Sequence, residues 1–206
     1  MAVLIIDYHM CNLGSVKRAF EECGAEVIVS NNPKDLDIAT QIVLPGVGAF
    51  ANGMKNLLKL GWVEEIKRAV LDEKIPILGI CLGMQLLADK SFEKGETEGL
   101  HLIPGDIIKL EPKDNKERVP HVGWNELHHD QQSTIFQGIN NDTDFYFVHS
   151  FHFKPKNNTA IIARTPYCGG FISAVQNENI IGVQFHPEKS SRPGFQLIQN
   201  FLNLVT

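Results

Sequence analysis

The sequence predicts an α/β fold, with a mainly parallel central sheet flanked by helices and an antiparallel extension in the C-terminal half. Up to about residue 90, short apolar runs rich in branched residues alternate with amphipathic segments, which is typical of parallel strands joined by helical crossovers. Beyond residue 100, short and partly alternating segments follow one another with only turn residues between them. No linker or repeat divides the 206 residues, so a single domain over 1–206 is expected.

The first half supplies four predicted strands and the helices that connect them. The strands are AVLIID (2–7), GAEVIVS (24–30), QIVLPG (41–46) and IPILGI (75–80). Helices are predicted over 13–23, 49–60, 62–73 and 83–89, where apolar residues recur at helical spacing. The carboxyl ends of such strands meet at one edge of the sheet, which is where ligands bind in open α/β folds.

The second half supplies six further strands and a closing helix. The strands are GDIIKL (105–110), HVGWNEL (121–127), DFYFVHSFHF (144–153), AIIART (160–165), FISAVQ (171–176) and IIGVQF (180–185). The closing helix is predicted over 194–204, with its apolar residues on one face.

Composition argues against several classes of protein. The net charge of -5 leaves no basic footprint for nucleic acid, and no apolar run approaches the ~18 residues of a membrane span. The start MAVLIIDYHM has no signal-peptide pattern, so a cytoplasmic protein is expected. Four scattered cysteines, without metal-ligand spacing, are expected to be free thiols, and neither a metal nor a cofactor is predicted.

The segment GICLG (79–83) has the spacing of a nucleophile elbow with cysteine as the nucleophile. Small residues two before and two after Cys81 would relieve crowding in a strained turn between strand and helix, and the first turn of the helix would favour thiolate. The alternative is a buried structural cysteine, which is the commoner role of a lone cysteine. The pattern alone leaves both interpretations open.

A base for such a thiol is available in GVQFHPEKS. His186 follows an apolar strand, and Glu188 lies two residues further on, where an extended backbone returns its side chain to the same side. Glu188 would accept a hydrogen bond from one imidazole nitrogen while the other faces Cys81. Taken alone, the segment also fits a plain surface turn.

The segment LPGVGAF places Gly46 and Gly48 beside the end of a strand. Their backbone N–H groups could stabilise an oxyanion, cradle a phosphate, or merely form a tight turn. The segment does not match the phosphate loop G-x-x-x-x-G-K-[ST].

Together, PGVG, GICLG and FHPEK in this order resemble the class I, or triad, glutamine amidotransferases, which have a flavodoxin-like fold. The chain is most similar to the family of glutaminase subunits of imidazole glycerol phosphate synthase. NLGSV, LPGVGAF, GICLGMQLL, PHVGWN, YFVHS and GVQFHPEKS carry this resemblance, which covers nearly the whole chain.

The resemblance implies a role for individual residues. Cys81 would attack the side-chain amide of L-glutamine to form a thioester and release ammonia, with His186 as base and then acid, and Glu188 orienting it. The oxyanion hole would include Val47, Gly48 and Leu82. The glutamine site would include Gly46, Gln85, Glu93, Ser150 and Phe151.

The resemblance also implies a partner. This is a TIM-barrel cyclase subunit in a heterodimer, which uses the ammonia to make imidazole glycerol phosphate and AICAR in histidine biosynthesis. Ammonia would pass between the two active sites, and the glutaminase activity of the isolated subunit would be low and rise when the partner binds. The interface would include Asn12, His121, Trp124, Tyr146 and Lys189.

The sequence also fits other functions. His9 and Cys11 stand where family members often have glycines, and a paralogous subunit supplies ammonia for amidating a surface-polysaccharide sugar in some bacteria. A stand-alone cysteine hydrolase and a nucleotide-binding module are the alternatives from other classes. Either His149 or His152 could help shape the substrate pocket, although packing at the edge of the core is the simpler interpretation of both. The pair His128–His129 is expected to form a solvated turn rather than a metal site.

Overall fold

The computed structural model describes residues 2–204 and contains one connected sheet with helices on both faces. The strands are β1 Ala2–Ile6, β2 Glu26–Ser30, β3 Gln41–Gly46, β4 Ile77–Cys81, β5 Lys90–Ser91, β6 Thr97–Glu98, β7 Gly105–Lys109, β8 His121–His129, β9 Thr143–His149, β10 Phe151–Pro155, β11 Ile161–Thr165, β12 Phe171–Asn177 and β13 Ile180–Val183. The helices are α1 Leu13–Glu22, α2 Phe50–Lys59, α3 Trp62–Lys67, α4 Leu82–Leu86 and α5 Ser191–Leu202.

The sheet has the parallel part and the antiparallel extension that the sequence predicts. Its order is β2-β1-β3-β4-β13-β12-β10-β7-β5-β6, and β11 connects β12 to the hairpin of β8 and β9. The neighbours from β2 through β13 all run parallel. From β13 onward the pairing is antiparallel, except between β5 and β7. The predicted fold class is confirmed.

Both faces of the parallel part are buried, which explains its continuous apolar runs. Successive residues of β1 point to opposite faces, so Leu4 and Ile6 enter one hydrophobic cluster while Val3 and Ile5 enter the other. Helices α2, α3 and α4 cover the first face, and α1 and α5 cover the second. The sheet is thereby held rigidly beneath the edge at which β3, β4 and β13 end.

Several element boundaries differ from the predictions. The α-helix from Trp62 ends at Lys67 and continues as a π-helical turn over Arg68–Asp72. α4 ends at Leu86, because the chain turns there to enter the two-residue strand β5, which the prediction missed together with β6. The segment DFYFVHSFHF forms two strands, since β9 pairs with β8 whereas β10 pairs with β7.

The closing helix begins at Ser191, three residues before its predicted start at Gly194. Gly194 lies within the first turn, where a Cβ atom would come within 2.0 Å of the Pro187 carbonyl oxygen. The glycine therefore permits a close approach rather than a helix boundary.

Among residues 2–204, no helix combines the length and the apolar character that crossing a membrane requires.

Candidate active site

Cys81 stands at a sharp turn between the end of β4 and the start of α4. Its φ of 55° and ψ of -109° lie outside the regions that L-residues usually adopt. The two flanking glycines make this turn sterically possible. A Cβ at Gly79 would lie 2.8 Å from the main chain of Gly83, and one at Gly83 would lie 1.7 Å from the carbonyl oxygen of Leu44. The local geometry is thus that of a nucleophile elbow.

His186 and Glu188 form a buried pair at the same edge of the sheet. His186 follows β13, and Glu188 belongs to the 3-10 turn Pro187–Lys189. Nδ1 of His186 lies 2.8 Å from Oε1 of Glu188, and both side chains are only 2% exposed. Nε2 of His186 has no hydrogen-bond partner within the described residues, which leaves this nitrogen available for proton exchange with Cys81.

The charge environment of His186 favours its protonated form. Burial lowers its pKa, but the neighbouring Cys81 and Glu188 outweigh burial and raise the pKa to about 10. The imidazole of His186 would therefore retain a proton that it receives from the Cys81 thiol. This is the property required of a base that activates a thiol nucleophile.

The other three cysteines are poorly suited to act as nucleophiles. Burial raises the pKa of Cys11 to about 11, and burial also raises the pKa of Cys23 and of Cys168. A thiol with a raised pKa is less often present as the reactive thiolate. Cys81 differs from these three in its position, because it is the cysteine beside the histidine–carboxylate pair.

A cavity of about 340 Å³ opens above Cys81, within the usual size range of small-molecule sites. Eight of the residues implied by the sequence resemblance line it: Val47, Gly48, Cys81, Leu82, Gln85, Glu93, Ser150 and Phe151. Gly46 is not among the residues that line the cavity; it is buried at the end of β3, where a Cβ would lie 2.0 Å from the hydroxyl of Tyr8.

Gln85 is held firmly in the wall of this cavity. Its Nε2 donates to the carbonyl of Phe151 at 3.0 Å and to Oε1 of Gln184 at 3.0 Å. Nε2 of Gln184 in turn lies 3.8 Å from the sulfur of Cys81. Because both N–H groups of Gln85 are engaged, its amide oxygen is the atom that remains for a ligand.

The loop after β3 does not direct all of its N–H groups into the cavity. The N–H of Val47 donates to the Met10 carbonyl at 2.7 Å. Gly48 has a φ of 108°, a conformation that glycine adopts readily. Leu82 begins α4, so its N–H has no intrahelical acceptor. The implied oxyanion role of Val47 therefore requires that its bond to Met10 be broken.

Glu93 connects the cavity to the helix that follows the loop. Its Oε2 accepts from the N–H of Phe50, the first residue of α2, at 2.7 Å. An acidic group at this position also complements the positive end of the helix dipole. One carboxylate oxygen of Glu93 is thereby engaged, and the other remains for a cation in the cavity.

Four of the five implied interface residues lie at least partly on the surface. Trp124 is 52% exposed and meets Tyr146 edge to face at 5.9 Å, and the ammonium of Lys189 lies 5.8 Å from the Tyr146 ring. Asn12 is exposed just before α1. His121 differs, because it is only 4% exposed and stacks on Tyr167. The side chain of His121 belongs to the interior of the described chain.

Two further residues at the site were not among the predicted site residues. His149, for which packing was the simpler interpretation and a place in the pocket the alternative, lines the cavity and donates a hydrogen bond to the carbonyl of Phe151. Gln184 is fully buried beneath Cys81. The available signal for Gln184 was a polar residue at the end of an otherwise apolar strand, two positions before His186.

These features define a class of protein, and the comparison with known sequences agrees. The profile of the family described as glutamine amidotransferase class-I matches residues 4–204. The chain belongs to this family.

Within the family, the chain is 48% identical to imidazole glycerol phosphate synthase subunit HisH 1 of Campylobacter jejuni strain 81-176, over 98% of this chain and 100% of that one. It is 45% identical to subunit HisH of Moorella thermoacetica, over 98% and 95% of the two chains. Among solved structures, PurLQS of Thermotoga maritima superposes with a TM-score of 0.74. That structure is 20% identical, over 98% of this chain and 97% of that chain, and so supports the fold alone.

Proposed function

We propose that this chain is the glutaminase subunit of an imidazole glycerol phosphate synthase, which hydrolyses L-glutamine to glutamate and ammonia. The observation that carries the proposal is the arrangement of Cys81, His186 and Glu188 at the cavity edge. This arrangement occurs in a chain that is 48% identical to a protein named as such a subunit.

The arrangement supports a thioester mechanism. Cys81 gives its proton to Nε2 of His186, and its sulfur attacks the side-chain carbonyl carbon of glutamine. The resulting tetrahedral oxyanion is stabilised by backbone N–H groups, including that of Leu82. When the C–N bond breaks, His186 returns the proton to the leaving ammonia. His186 then takes a proton from water as the water oxygen attacks the thioester carbon. When the C–S bond breaks and glutamate is released, His186 passes this proton to the departing sulfur, which restores the Cys81 thiol.

Glu188 has an orienting role in these steps. Its carboxylate accepts the Nδ1–H of His186 at 2.8 Å, which keeps Nε2 free to accept the proton from the thiol. A buried carboxylate also stabilises the imidazolium that forms after this transfer.

The polar groups around the cavity are suited to glutamine. The amide oxygen of Gln85 can accept from a substrate N–H, and the free oxygen of Glu93 can bind the α-ammonium group. The Phe151 carbonyl already accepts from Gln85 and from His149. The main-chain group of Phe151 that remains to contact the substrate is therefore its N–H.

The loop after β3 provides a means of regulation. With the Val47 N–H bound to Met10, one oxyanion donor is withheld and glutaminase activity is low. A partner that binds the rearranged loop more tightly shifts the population towards the active conformation.

The partner in this proposal is a TIM-barrel cyclase subunit that consumes the ammonia. An exposed face suited to it lies beside the site, on the β8–β9 hairpin. Val122 pairs with Val148 and Trp124 pairs with Tyr146 across the two strands, and Val122, Trp124 and Val148 are exposed. Exposed apolar side chains in such a patch are typical of an interaction surface. Val148 also lines the cavity, so the surface reaches the reaction site.

The decisive experiment is to co-purify the chain with its native synthase partner and to measure glutamate formation with and without that partner. We expect activity to rise when the partner and its ligand are present, and Cys81→Ala to abolish it without loss of binding. Cys168→Ala is the matched control, since Cys168 lies outside the cavity. Normal activity of Cys81→Ala in the complex would refute the assignment of the nucleophile. Capture of a barrel that does not form imidazole glycerol phosphate would refute the pathway.

A further inference from the structure

A chain of hydrogen bonds connects the partner-facing hairpin with the wall of the glutamine site. Nδ2 of Asn125, on β8, lies 3.4 Å from Nε2 of His121. Nδ1 of His121 lies 3.0 Å from Nε2 of His149, and Nδ1 of His149 lies 2.9 Å from the carbonyl oxygen of Phe151. That oxygen also accepts from Gln85. The chain thus ends on two residues that line the cavity.

The acceptors fix the direction of every bond in this chain. A carbonyl oxygen can only accept, so Nδ1 of His149 carries a proton and, in the neutral imidazole, Nε2 is an acceptor. His121 must then donate from Nδ1 and accept at Nε2 from the Asn125 amide. Burial lowers the pKa of His149 to about 3 and that of His121 to about 4, so both rings are neutral near pH 7.

Aromatic packing restricts the orientation of both rings. His121 stacks on Tyr167 at 4.1 Å and on Phe147 at 5.0 Å. His149 meets Phe171 edge to face at 4.7 Å. Rotation of either imidazole would disturb these contacts as well as the hydrogen bonds. The two rings therefore form a rigid support.

We propose that His149 and His121 are positioning residues of the glutaminase, which hold the Phe151 carbonyl and through it the Gln85 amide in the orientation that binds glutamine. The inference rests on the proposed function, and it deepens the description of the same site. With both lone pairs of the Phe151 carbonyl engaged, Gln85 has a fixed anchor and presents its oxygen to the substrate. Loss of the His149 donor would free this main chain and weaken glutamine binding.

The test is steady-state kinetics of glutamine hydrolysis by the complete complex. His149→Phe retains an aromatic ring without either nitrogen, and we expect KM for glutamine to rise about 3- to 10-fold, the effect of one lost hydrogen bond, with little change in kcat. His149→Asn, whose amide can donate to the Phe151 carbonyl, should restore KM. The matched control is His152→Phe on β10, the next strand along the chain, because His152 donates to a main-chain carbonyl at 3.2 Å but lies outside this cavity.

His121 supplies an independent test of the same chain. His121→Phe retains a ring against Tyr167 but cannot donate to His149, so KM should rise in the native background and not further in His149→Phe. If His149→Phe does not fold, His121→Phe alone tests the inference. An active native complex whose KM is unchanged by both substitutions, or is raised equally by His152→Phe, would overturn the inference alone. A native complex that forms no glutamate would overturn the proposed function and the inference with it.

Discussion

The strained backbone at Cys81 leads to a measurable stability difference between two inactive variants. Cys81 has a φ of 55° and a ψ of -109°, and holding an L-residue in such a conformation costs roughly 1–3 kcal/mol. Cys81→Ala keeps the Cβ atom and therefore keeps the strain. Cys81→Gly removes the Cβ atom and, with it, the strain. Neither variant retains the thiol, so both should lose glutaminase activity.

The expected magnitude follows from three opposing effects. Relief of strain stabilises the glycine variant by about 1–3 kcal/mol. The greater freedom of glycine in the unfolded chain costs about 0.4–1 kcal/mol, and loss of one buried methyl group costs up to about 0.8 kcal/mol. Taken at their central values, these effects leave the glycine variant more stable than the alanine variant by about 1 kcal/mol.

Cys23 provides the matched control, since its φ of -83° is negative and lies outside the left-handed region that favours glycine. There the order should reverse, with Cys23→Gly less stable than Cys23→Ala by about 0.5–1 kcal/mol. Denaturant unfolding followed by far-UV circular dichroism measures both pairs, provided that the slope m is unchanged. If glycine costs as much at Cys81 as at Cys23, the elbow stores no strain and the reasoning fails.

Three further predictions concern neighbouring features. Gly83→Ala should destabilise the protein by about 3 kcal/mol or more, because its Cβ would lie 1.7 Å from the Leu44 carbonyl oxygen. Gly14→Ala should instead stabilise α1 by about 0.5–1 kcal/mol, because beyond the adjoining residues and the backbone of α1 itself the described chain has no atom within 4 Å of the new Cβ. Equal midpoints of the two variants in chemical denaturation would contradict this. Glu188→Gln should lower kcat about 10²- to 10⁴-fold. Because the folded pKa of His186 is raised to about 10, its contribution to stability is full below about pH 6.5 and is lost as the pH rises through 10. In Glu188→Gln, the amide should make this pH-dependent loss of stability smaller. An unchanged pH dependence of unfolding would argue against the interaction between His186 and Glu188. His9, with a φ of 65°, should be replaced more favourably by glycine than by alanine, with a gain of about 0.5–1 kcal/mol over His9→Ala in thermal or denaturant unfolding; a more stable alanine variant would contradict the strain.

The sharp turn around Cys81 could be predicted from the sequence because its constraint is local, whereas a catalytic role for this cysteine followed only from the family resemblance. The spacing of Gly79, Cys81 and Gly83 is a steric requirement of one turn, and the structure gives the clashes that larger residues would cause. His186 and Glu188 were also accessible, since two residues of extended chain bring both side chains to one side. The parallel sheet followed from the alternation of apolar runs and amphipathic segments, which is likewise a local pattern.

The hydrogen bonds around the site could not be predicted, because they join residues that are distant in sequence. Gln85 contacts Phe151 and Gln184 across 66 and 99 positions, and no local pattern indicates such pairs. The contact between His149 and His121 was inaccessible for the same reason, because the two residues lie on different strands. His9 was recognised only as a departure from the family pattern, and its positive φ explains why glycine is favoured there.

The hydrogen bond between Val47 and Met10 can account for only part of the activation that a partner produces. A hydrogen bond of this kind contributes about 0.5–1.5 kcal/mol net. Because the active conformation lacks this bond, its loss alone would lower the population of that conformation only about 2- to 13-fold. An oxyanion donor, in contrast, is worth about 10²- to 10³-fold in kcat. Activation beyond about 13-fold therefore requires that the partner also overcomes other restraints on the loop. Two are present in the structure: Met10 packed against Gly48, where a Cβ would lie 2.9 Å from the Met10 methyl carbon, and Glu93 bound to the start of α2.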